Sequence, residues 1–251
     1  MSRTLYTGAA GLRASQYYIN NIGTNIANVN TSGYKPIVTS FSDLLYTQMY
    51  VKSADVLSGQ GSKASFGGIN PTQSSLVSTG MDMDLAINGD GWFAIETKNG
   101  VAYTRSGEFS LALEQNTCYL VDGSGNYVLD KNFNRISMMA PTSLTDTENG
   151  SEATVSSFDA TKLTSQVAVF RFANPEALTP MSGNLYSAND FTGEPSLVAD
   201  PKIVSGYLEQ SGAMLADGMI DLIAAQRAYQ LSAKVLQTAD EDEQTVNNLR
   251  T

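Results

Sequence analysis

Apolar residues recur every seven positions at both ends of this chain, and that spacing constrains the fold more than any other feature of the sequence. Near the amino terminus the residues of the repeat are Leu5, Leu12, Ile19 and Ile26. A seven-residue spacing puts apolar side chains on one face of an α-helix, so the sequence predicts an amphipathic helix over about residues 4–28. Gly33 and the dipeptide Lys35-Pro36 then indicate the turn that ends it.

The carboxy-terminal part of the chain shows the same spacing. The residues of this second repeat are Leu215, Leu222, Tyr229 and Leu236, and an adjoining stripe consists of Ala224, Ala228, Leu231 and Val235. No proline follows Pro201, so a single helix can extend over about residues 211–249. Two apolar stripes on one helix predict neighbours on two sides.

The amino-terminal helix does not bury enough apolar surface by itself to offset the entropy lost on ordering it, so it needs the carboxy-terminal helix and other subunits. We therefore predict that both ends are mobile in the free monomer and become helical on assembly. The predicted assembly interface consists of Leu5, Leu12, Ile19, Ile22, Ile26, Asn28, Val29, Leu215, Leu222, Tyr229, Leu231, Val235 and Leu236. The predicted hinge or turn consists of Gly33, Lys35 and Pro36.

Between the helices the apolar spacing changes to two, which is typical of short antiparallel strands separated by Gly- and Asn-rich turns. The predicted strands are Leu85–Ile87, Trp92–Ile95, Val101–Thr104, Phe109–Leu113, Tyr119–Val121, Tyr127–Leu129 and Val167–Phe172. The predicted fold class is α+β, in which long terminal helices form a coiled-coil-like axial domain and an antiparallel all-β domain is inserted between them. The predicted domains are an axial helix and turn at 1–50, an extended connector at 51–80, the β domain at 81–206, and an axial helix at 207–251 that packs with residues 1–30.

Composition excludes most catalytic chemistry. The chain has no histidine and one cysteine, Cys118, so His-based triads, His-based zinc sites and intrachain disulfides are absent. We expect no metal and no cofactor, because the Asp82, Asp84 and Asp90 spacing does not fit a calcium loop. A pair of acidic residues acting on carbohydrate, or exposed aromatic residues of a binding module, remain as alternative functions.

Charge is distributed unevenly along the chain. The net charge of −10 divides into +3 for residues 1–80, −9 for 81–206 and −4 for 207–251. The basic residues are scattered, so we expect no nucleic-acid partner. The unevenness fits either a solvated acidic surface or attraction between the two ends of the chain. No segment has the length or apolar character of a membrane span or a cleaved signal peptide.

Four ordered motifs resemble those of bacterial flagellar axial proteins, the rod and hook family. The segment 25–35, with the sequence NIANVNTSGYK, resembles the family signature that ends the first helix. The segments 84–93 (DLAINGDGWF) and 103–109 (YTRSGEF) resemble the start of the β domain. The segment 183–186 (GNLY) resembles its end, and the segments 206–211 (GYLEQS) and 223–229 (IAAQRAY) resemble the carboxy-terminal helix region. The length of the chain resembles basal-body rod proteins, proximal or distal, more than the longer hook protein.

This resemblance implies a structural, non-enzymatic subunit that forms a helical homo-oligomer and transmits motor torque to the hook. It also implies a location in the basal body outside the cytoplasmic membrane, reached by type III export without a cleaved signal peptide. The implied partners are further copies of the chain, other flagellar rod and hook proteins and the flagellar export apparatus, with no small-molecule substrate. A hook or hook-associated subunit is the nearest alternative within the family.

Overall fold

The computed structural model describes residues 3–51, 54–114, 117–139 and 160–249. The chain divides into two compact units. The helix unit comprises Met1–Val29, Pro36–Gly68 and Ala213–Thr251, and the β unit comprises Asn30–Lys35 and Ile69–Gly212. Mixed helix and antiparallel sheet make this an α+β protein. Besides residues 81–206, the β unit contains Asn30–Lys35, residues 69–80 and residues 207–212.

The described elements follow one another in this chain order. The helices are α1 (Arg3–Ala27), α2 (Ala160–Gln166) and α3 (Leu215–Leu249), with a 3₁₀ turn at Pro175–Ala177. The strands are β1 (Ile37–Asp43), β2 (Thr47–Val51), β3 (Ala54–Ser58), β4 (Ser62–Ile69), β5 (Leu76–Ser78), β6 (Leu85–Ile87), β7 (Trp92–Thr97), β8 (Gly100–Thr104), β9 (Phe109–Glu114), β10 (Thr117–Asp122), β11 (Tyr127–Val128), β12 (Ser137–Met139), β13 (Val169–Arg171), β14 (Thr179–Pro180), β15 (Tyr186–Ser187), β16 (Ser196–Leu197), β17 (Ile203–Ser205) and β18 (Tyr207–Glu209).

Both terminal helices form close to where the apolar repeats predict them. The first agrees with its predicted bounds to within one residue, and the last begins four residues later than predicted. Just before the helix, the Gly212 N–H donates to the carbonyl oxygen of Tyr34 at 2.9 Å. No helix in the described residues is long and apolar enough to cross a membrane.

The two long helices of the helix unit pack against each other in antiparallel orientation. A Cβ atom at Gly8 would lie 3.5 Å from Leu236, and one at Gly218 would lie 3.0 Å from Ile26. The start of α1 therefore lies beside the later part of α3, and the end of α1 lies beside the start of α3. Glycine at these positions lets the two backbones approach closely, which larger side chains would prevent.

The segment predicted as an extended connector contains regular strands. β4 pairs with β1, and β5 pairs with β18 in antiparallel register. β2 and β3 also pair with each other, with Met49 opposite Val56. The interpretation of residues 51–80 as a connector rested on their Ser, Gly and Thr content. That content does not prevent strand formation, because ladder hydrogen bonds come from the backbone and only require a partner strand.

The β unit is built around a ten-stranded antiparallel sheet with the order β12-β10-β11-β7-β8-β15-β14, to which β9, β13 and β16 are attached. Every predicted strand in this region is present, with bounds shifted by at most two residues. Strand β7 is central, and its alternating residues enter two hydrophobic clusters. Phe93 and Ile95 belong to one cluster, and Trp92 and Ala94 to the other.

Two short strand pairs complete the β unit. β17 pairs with β6, so that Ile203 lies opposite Ile87 and packs against the first cluster. β18 pairs with β5, so that Glu209 lies opposite Leu76. Both pairs join a strand that lies just before α3 in the chain to a strand that lies before β7. The helix α2 was not predicted, and its Leu163 is fully buried in the first cluster.

Candidate functional site: a helix surface and a buried ion cluster

The face of α3 that meets α1 is lined by alternating large and small residues. Leu222 and Leu236 are half-buried there, and the neighbouring positions in the same heptad pattern are Gly218, Ala225, Ser232 and Ala239. Ala225 and Ala239 are the buried residues of this helix. Burial and the adjacent Asp221 carboxylate raise the pKa of the Tyr18 hydroxyl, which bonds to Asp221. The α1–α3 contact is thus partly polar.

A second face of α3 is exposed within this chain. Leu231 and Val235, predicted to belong to the adjoining stripe, are 66% and 44% exposed. Ala224 and Ala228 on the same stripe are also exposed. Further large apolar residues exposed on this helix are Leu215, Met219, Ile220, Ile223, Val246 and Leu249. Large apolar side chains exposed in this number on one helix are characteristic of interaction surfaces.

The structure places the predicted interface residues in three environments. Ile22 is buried. The half-buried residues are Leu5, Leu12, Ile19, Ile26, Asn28, Val29, Leu222 and Leu236. The exposed residues are Leu215, Tyr229, Leu231 and Val235. The predicted interface therefore separates into positions that are at least partly covered within this chain and positions that are exposed.

The β unit contains a buried ion cluster of three residues, Lys35, Arg105 and Glu209. The Glu209 carboxylate accepts hydrogen bonds from Lys35 Nζ at 2.6 Å and from Arg105 Nε at 2.5 Å. It also accepts one from the backbone N–H of Ser74 at 2.8 Å. The three side chains are at most 3% exposed. Buried charges persist only when they are paired and hydrogen-bonded, and each oxygen of this carboxylate has a donor.

The Arg105 guanidinium also holds the loop that precedes β7. Its terminal nitrogens donate to the carbonyl oxygens of Ile87, Gly89 and Gly91, with the Gly89 bond at 2.5 Å and the Ile87 bond at 3.3 Å. The planar guanidinium can satisfy several acceptors at once, which an ammonium group cannot do with fixed geometry. Arg105 therefore connects the Glu209 segment to the turn in which the motif 84–93 lies.

Lys35 connects the amino-terminal signature to the same cluster. Its ammonium group donates to Glu209 and to the carbonyl oxygen of Thr72 at 2.6 Å. Its backbone N–H donates to the hydroxyl of Tyr186 at 3.1 Å. Burial lowers the pKa of Lys35, the Glu209 carboxylate opposes that effect, and the positive charge of Arg105 adds to it. Lys35 was predicted as part of a hinge or turn, whereas the structure buries it in an ion pair.

Two further residues of the motifs fix the signature segment in place. Gly33 has φ +67°, and a Cβ atom there would lie 2.5 Å from the backbone nitrogen of Ser106. Asn184 has φ +59° and donates from Nδ2 to the carbonyl oxygen of Ser32 at 2.8 Å. Gly33 thus has a left-handed backbone conformation at a close approach to Ser106. Each of the four motifs therefore contributes a residue in or next to the ion cluster, namely Lys35, Arg105, Tyr186 and Glu209.

Sequence reasoning did not identify this cluster as a site. Arg105 directly follows the strand residues Tyr103-Thr104, and Glu209 directly follows Tyr207-Leu208. A charged residue at such a place is the signal that could have indicated burial with a partner. The spacing could not indicate which residues pair, because Lys35 and Glu209 are 174 positions apart. Among the described residues, no group of three His, Cys, Asp or Glu side chains could hold a metal ion.

Comparison with known proteins agrees with this convergence of motifs. Residues 86–161 match the family model described as "Flagellar hook protein FlgE/F/G D1 domain", and residues 204–249 match "Flagellar basal body rod FlgEFG protein C-terminal". The chain is 36% identical to the flagellar basal-body rod protein FlgG of Bacillus subtilis, with all of both chains covered. It is 32% identical to the FlgG of Borreliella burgdorferi, over 100% of this chain and 99% of the relative. It is 28% identical to the flagellar hook-basal body complex protein FlhP of Bacillus subtilis, over the whole of both chains.

Proposed function

Because the chain belongs to the family of flagellar basal-body rod proteins, we propose that it self-assembles helically through α1 and α3 to form part of the rod and transmits motor torque to the hook. It is a structural subunit of the flagellar rod, and its relatives are structural proteins and not enzymes. Its place is the flagellar basal body. The two long helices form the axial domain, and the β unit is inserted between them in the chain.

The exposed face of α3 is the observation that carries this proposal. α1 covers only one side of α3, and the stripe with Leu231 and Val235 stays exposed in the single chain. We propose that further copies of this chain cover it. A contact of this heterologous kind, in which one face binds a different face of the next copy, continues into a helical polymer when it does not close a ring.

Charge supports pairing between copies. α1 contains two basic residues, Arg3 and Arg13, and no acidic one. α3 contains six acidic residues and two basic ones, Arg227 and Lys234, which gives −4. The run Asp240–Glu243 supplies four of the acidic charges. Attraction between helices of opposite charge increases the rate of association and favours one register over others.

Delivery and partners follow from the same proposal. We propose that the subunit reaches the basal body by the flagellar type III export apparatus without a cleaved signal peptide. Its axial neighbours are further copies of itself and other rod and hook proteins, which suits the similarity to both rod and hook-basal body relatives. Torque transmission requires a stiff subunit, and long helices packed through small residues provide that stiffness.

Serine substitutions on the exposed face test the proposal. The variants Leu231→Ser and Val235→Ser remove apolar surface that no other part of this chain covers. We expect each variant monomer to have the same circular dichroism spectrum and unfolding midpoint as the parent monomer. Incorporation into rods and swimming in soft agar are expected to be lost in cells that carry only the variant.

Leu113 offers a matched control, because it is a leucine of β9 that is 70% exposed in the β unit. Leu113→Ser is expected to assemble and to support swimming. If the Leu231→Ser and Val235→Ser chains assembled as well as the Leu113→Ser chain, the exposed face of α3 would not be the assembly surface.

A further inference from the structure

The end of the amino-terminal signature belongs to the β unit and not to the helix unit that precedes it in the chain. The backbone N–H of Gly33 donates to the carbonyl oxygen of Glu209 at 2.8 Å. The carbonyl oxygen of Tyr34 accepts from Gly212, and the N–H of Lys35 donates to Tyr186. These are the contacts of a segment that completes a fold, whereas a free hinge would leave its backbone to water.

The complementary segment comes from the other end of the chain. β17 and β18 pair with β6 and β5, and Glu209 supplies the only carboxylate in contact with Lys35 and Arg105 among the described residues. Glu209 is 174 positions from Lys35 and 104 from Arg105. If Glu209 were absent, two cations would be buried against carbonyl oxygens alone, which is strongly unfavourable.

We propose that Lys35 and Glu209 close the β unit together, so that this unit is complete only in a chain that has both of its end segments in place. The signature segment Thr31–Lys35 then acts within the fold of the β unit and not as a contact with other subunits. A chain cut short before Glu209 would keep its β unit open, and would present no finished surface to an assembly. The inference concerns the single chain and does not depend on how the subunit assembles.

Trp92 makes the closure measurable. It is the only tryptophan of the chain. It is 3% exposed in the second cluster of the β unit, with its ring 5.0 Å from that of Tyr186. Its fluorescence therefore reports unfolding of the β unit without a contribution from the terminal helices. The experiment uses the full chain at a dilution that keeps it monomeric.

Single substitutions give the first comparison. Glu209→Gln leaves Lys35 and Arg105 without their counter-charge, and is expected to lower the midpoint of the Trp92 transition by roughly 6 to 20 °C. Lys35→Met leaves Arg105 and Glu209 as a balanced pair, so its decrease should be smaller. Lys98→Met is the matched control, because Lys98 is exposed in the same unit and should leave the midpoint unchanged.

The double variant Glu209→Gln, Lys35→Met decides the question through the direction in which its midpoint changes. In the Glu209→Gln background, Lys35→Met removes a buried cation that has lost its partner, so the midpoint should rise relative to Glu209→Gln alone. In the parent background, the same Lys35→Met change should lower it. Equal and additive decreases in both backgrounds, or a normal midpoint in the Lys35→Met monomer, would overturn the proposal.

Hydrogen exchange on the unmodified chain covers the case in which Glu209→Gln does not fold. The amides of Gly33 and Lys35 donate within the β unit, so they should exchange as slowly as amides in β7 and β8. If they exchanged as fast as exposed turn amides such as that of Asn99, the signature segment would be a free hinge and the closure would not exist.

Discussion

Asn25 in α1 binds the backbone of Ile37 in β1 with both ends of its side-chain amide. Its Nδ2 donates to the carbonyl oxygen of Ile37, and its Oδ1 accepts from the N–H of Ile37, both at 2.9 Å. Four residues earlier, Asn21 donates from Nδ2 to the hydroxyl of Thr39 at 2.9 Å. The asparagines that weaken α1 as an isolated helix therefore attach the strand that follows it in the helix unit.

Asn25→Ala should release β1 from α1. Loss of two half-buried hydrogen bonds is expected to lower the free energy of unfolding of the helix unit by about 1–3 kcal/mol. Hydrogen exchange at the Ile37 amide should become faster, because this amide loses its acceptor. Gln16→Ala is the control, because Gln16 makes only an exposed bond to Asn20 on the same helix. Unchanged exchange at Ile37 in the Asn25→Ala chain would contradict the attachment.

Gly33→Ala should destabilise the β unit more than Gly80→Ala, although the two glycines have similar φ angles. Gly80 has φ +72° and open space around it, whereas a Cβ at Gly33 would collide with the backbone of Ser106. Gly80→Ala should cost about 1–2 kcal/mol for the left-handed backbone alone. Gly33→Ala should cost clearly more, as read from Trp92 fluorescence during denaturant unfolding. Equal costs would mean that the close approach does not limit this position.

Gly8→Leu should disrupt the packing of α1 on α3. A Cβ at Gly8 already reaches Leu236 at 3.5 Å, so a larger side chain has no room, and we expect a loss of about 1–3 kcal/mol. Gly23→Leu is the matched control, since nothing lies within 4 Å of a Cβ there, and better helix propensity should stabilise α1 by about 0.5–1 kcal/mol. Thermal unfolding followed by far-ultraviolet circular dichroism measures both. A Gly8→Leu chain as stable as the Gly23→Leu chain would exclude close packing at this point.

The stability of the β unit should fall as the pH rises above about 10. Burial raises the pKa of Tyr186, and it also raises that of Tyr103. Above the ordinary tyrosine pKa of 10.0 the unfolded chain releases these protons while the folded chain keeps them, so the free energy of unfolding falls with pH. Each such group contributes a slope of up to about 1.4 kcal/mol per pH unit until its folded pKa is reached.

Tyr186→Phe isolates the contribution of one hydroxyl. Burial lowers the pKa of Lys35, so the titration of Lys35 changes the free energy of unfolding with pH in the opposite direction. Tyr186→Phe must therefore be compared with the parent chain at each pH. Tyr186→Phe loses the acceptor for the Lys35 N–H and should be less stable at neutral pH by about 1 kcal/mol. Its stability should then fall less steeply above pH 10 than that of the parent, as measured by urea unfolding at several pH values. Identical slopes would show that Tyr186 ionises normally in the folded chain.

Local features of the fold could be predicted closely from the sequence, and contacts between distant segments could not. The spacing of Leu5, Leu12 and Ile19 predicted α1 because helical geometry repeats within a few residues. The alternation of side chains around Phe93 predicted β7, because strand geometry repeats every two residues. The face of α3 that α1 covers was only partly predicted, since its small residues, such as Ala225 and Ala239, carry little apolar signal.

The sequence by itself determined the two terminal helices, seven of the eighteen described strands and, through four ordered motifs, the family. The tertiary structure alone decided that Lys35, Arg105 and Glu209 share one buried site, and that strands β3, β4 and β5 form within residues 51–80. Periodicity is a property of the local backbone, so it can be read from neighbouring residues. A pairing across 174 positions depends on the path by which the chain returns, and that path is fixed only when the whole β unit packs.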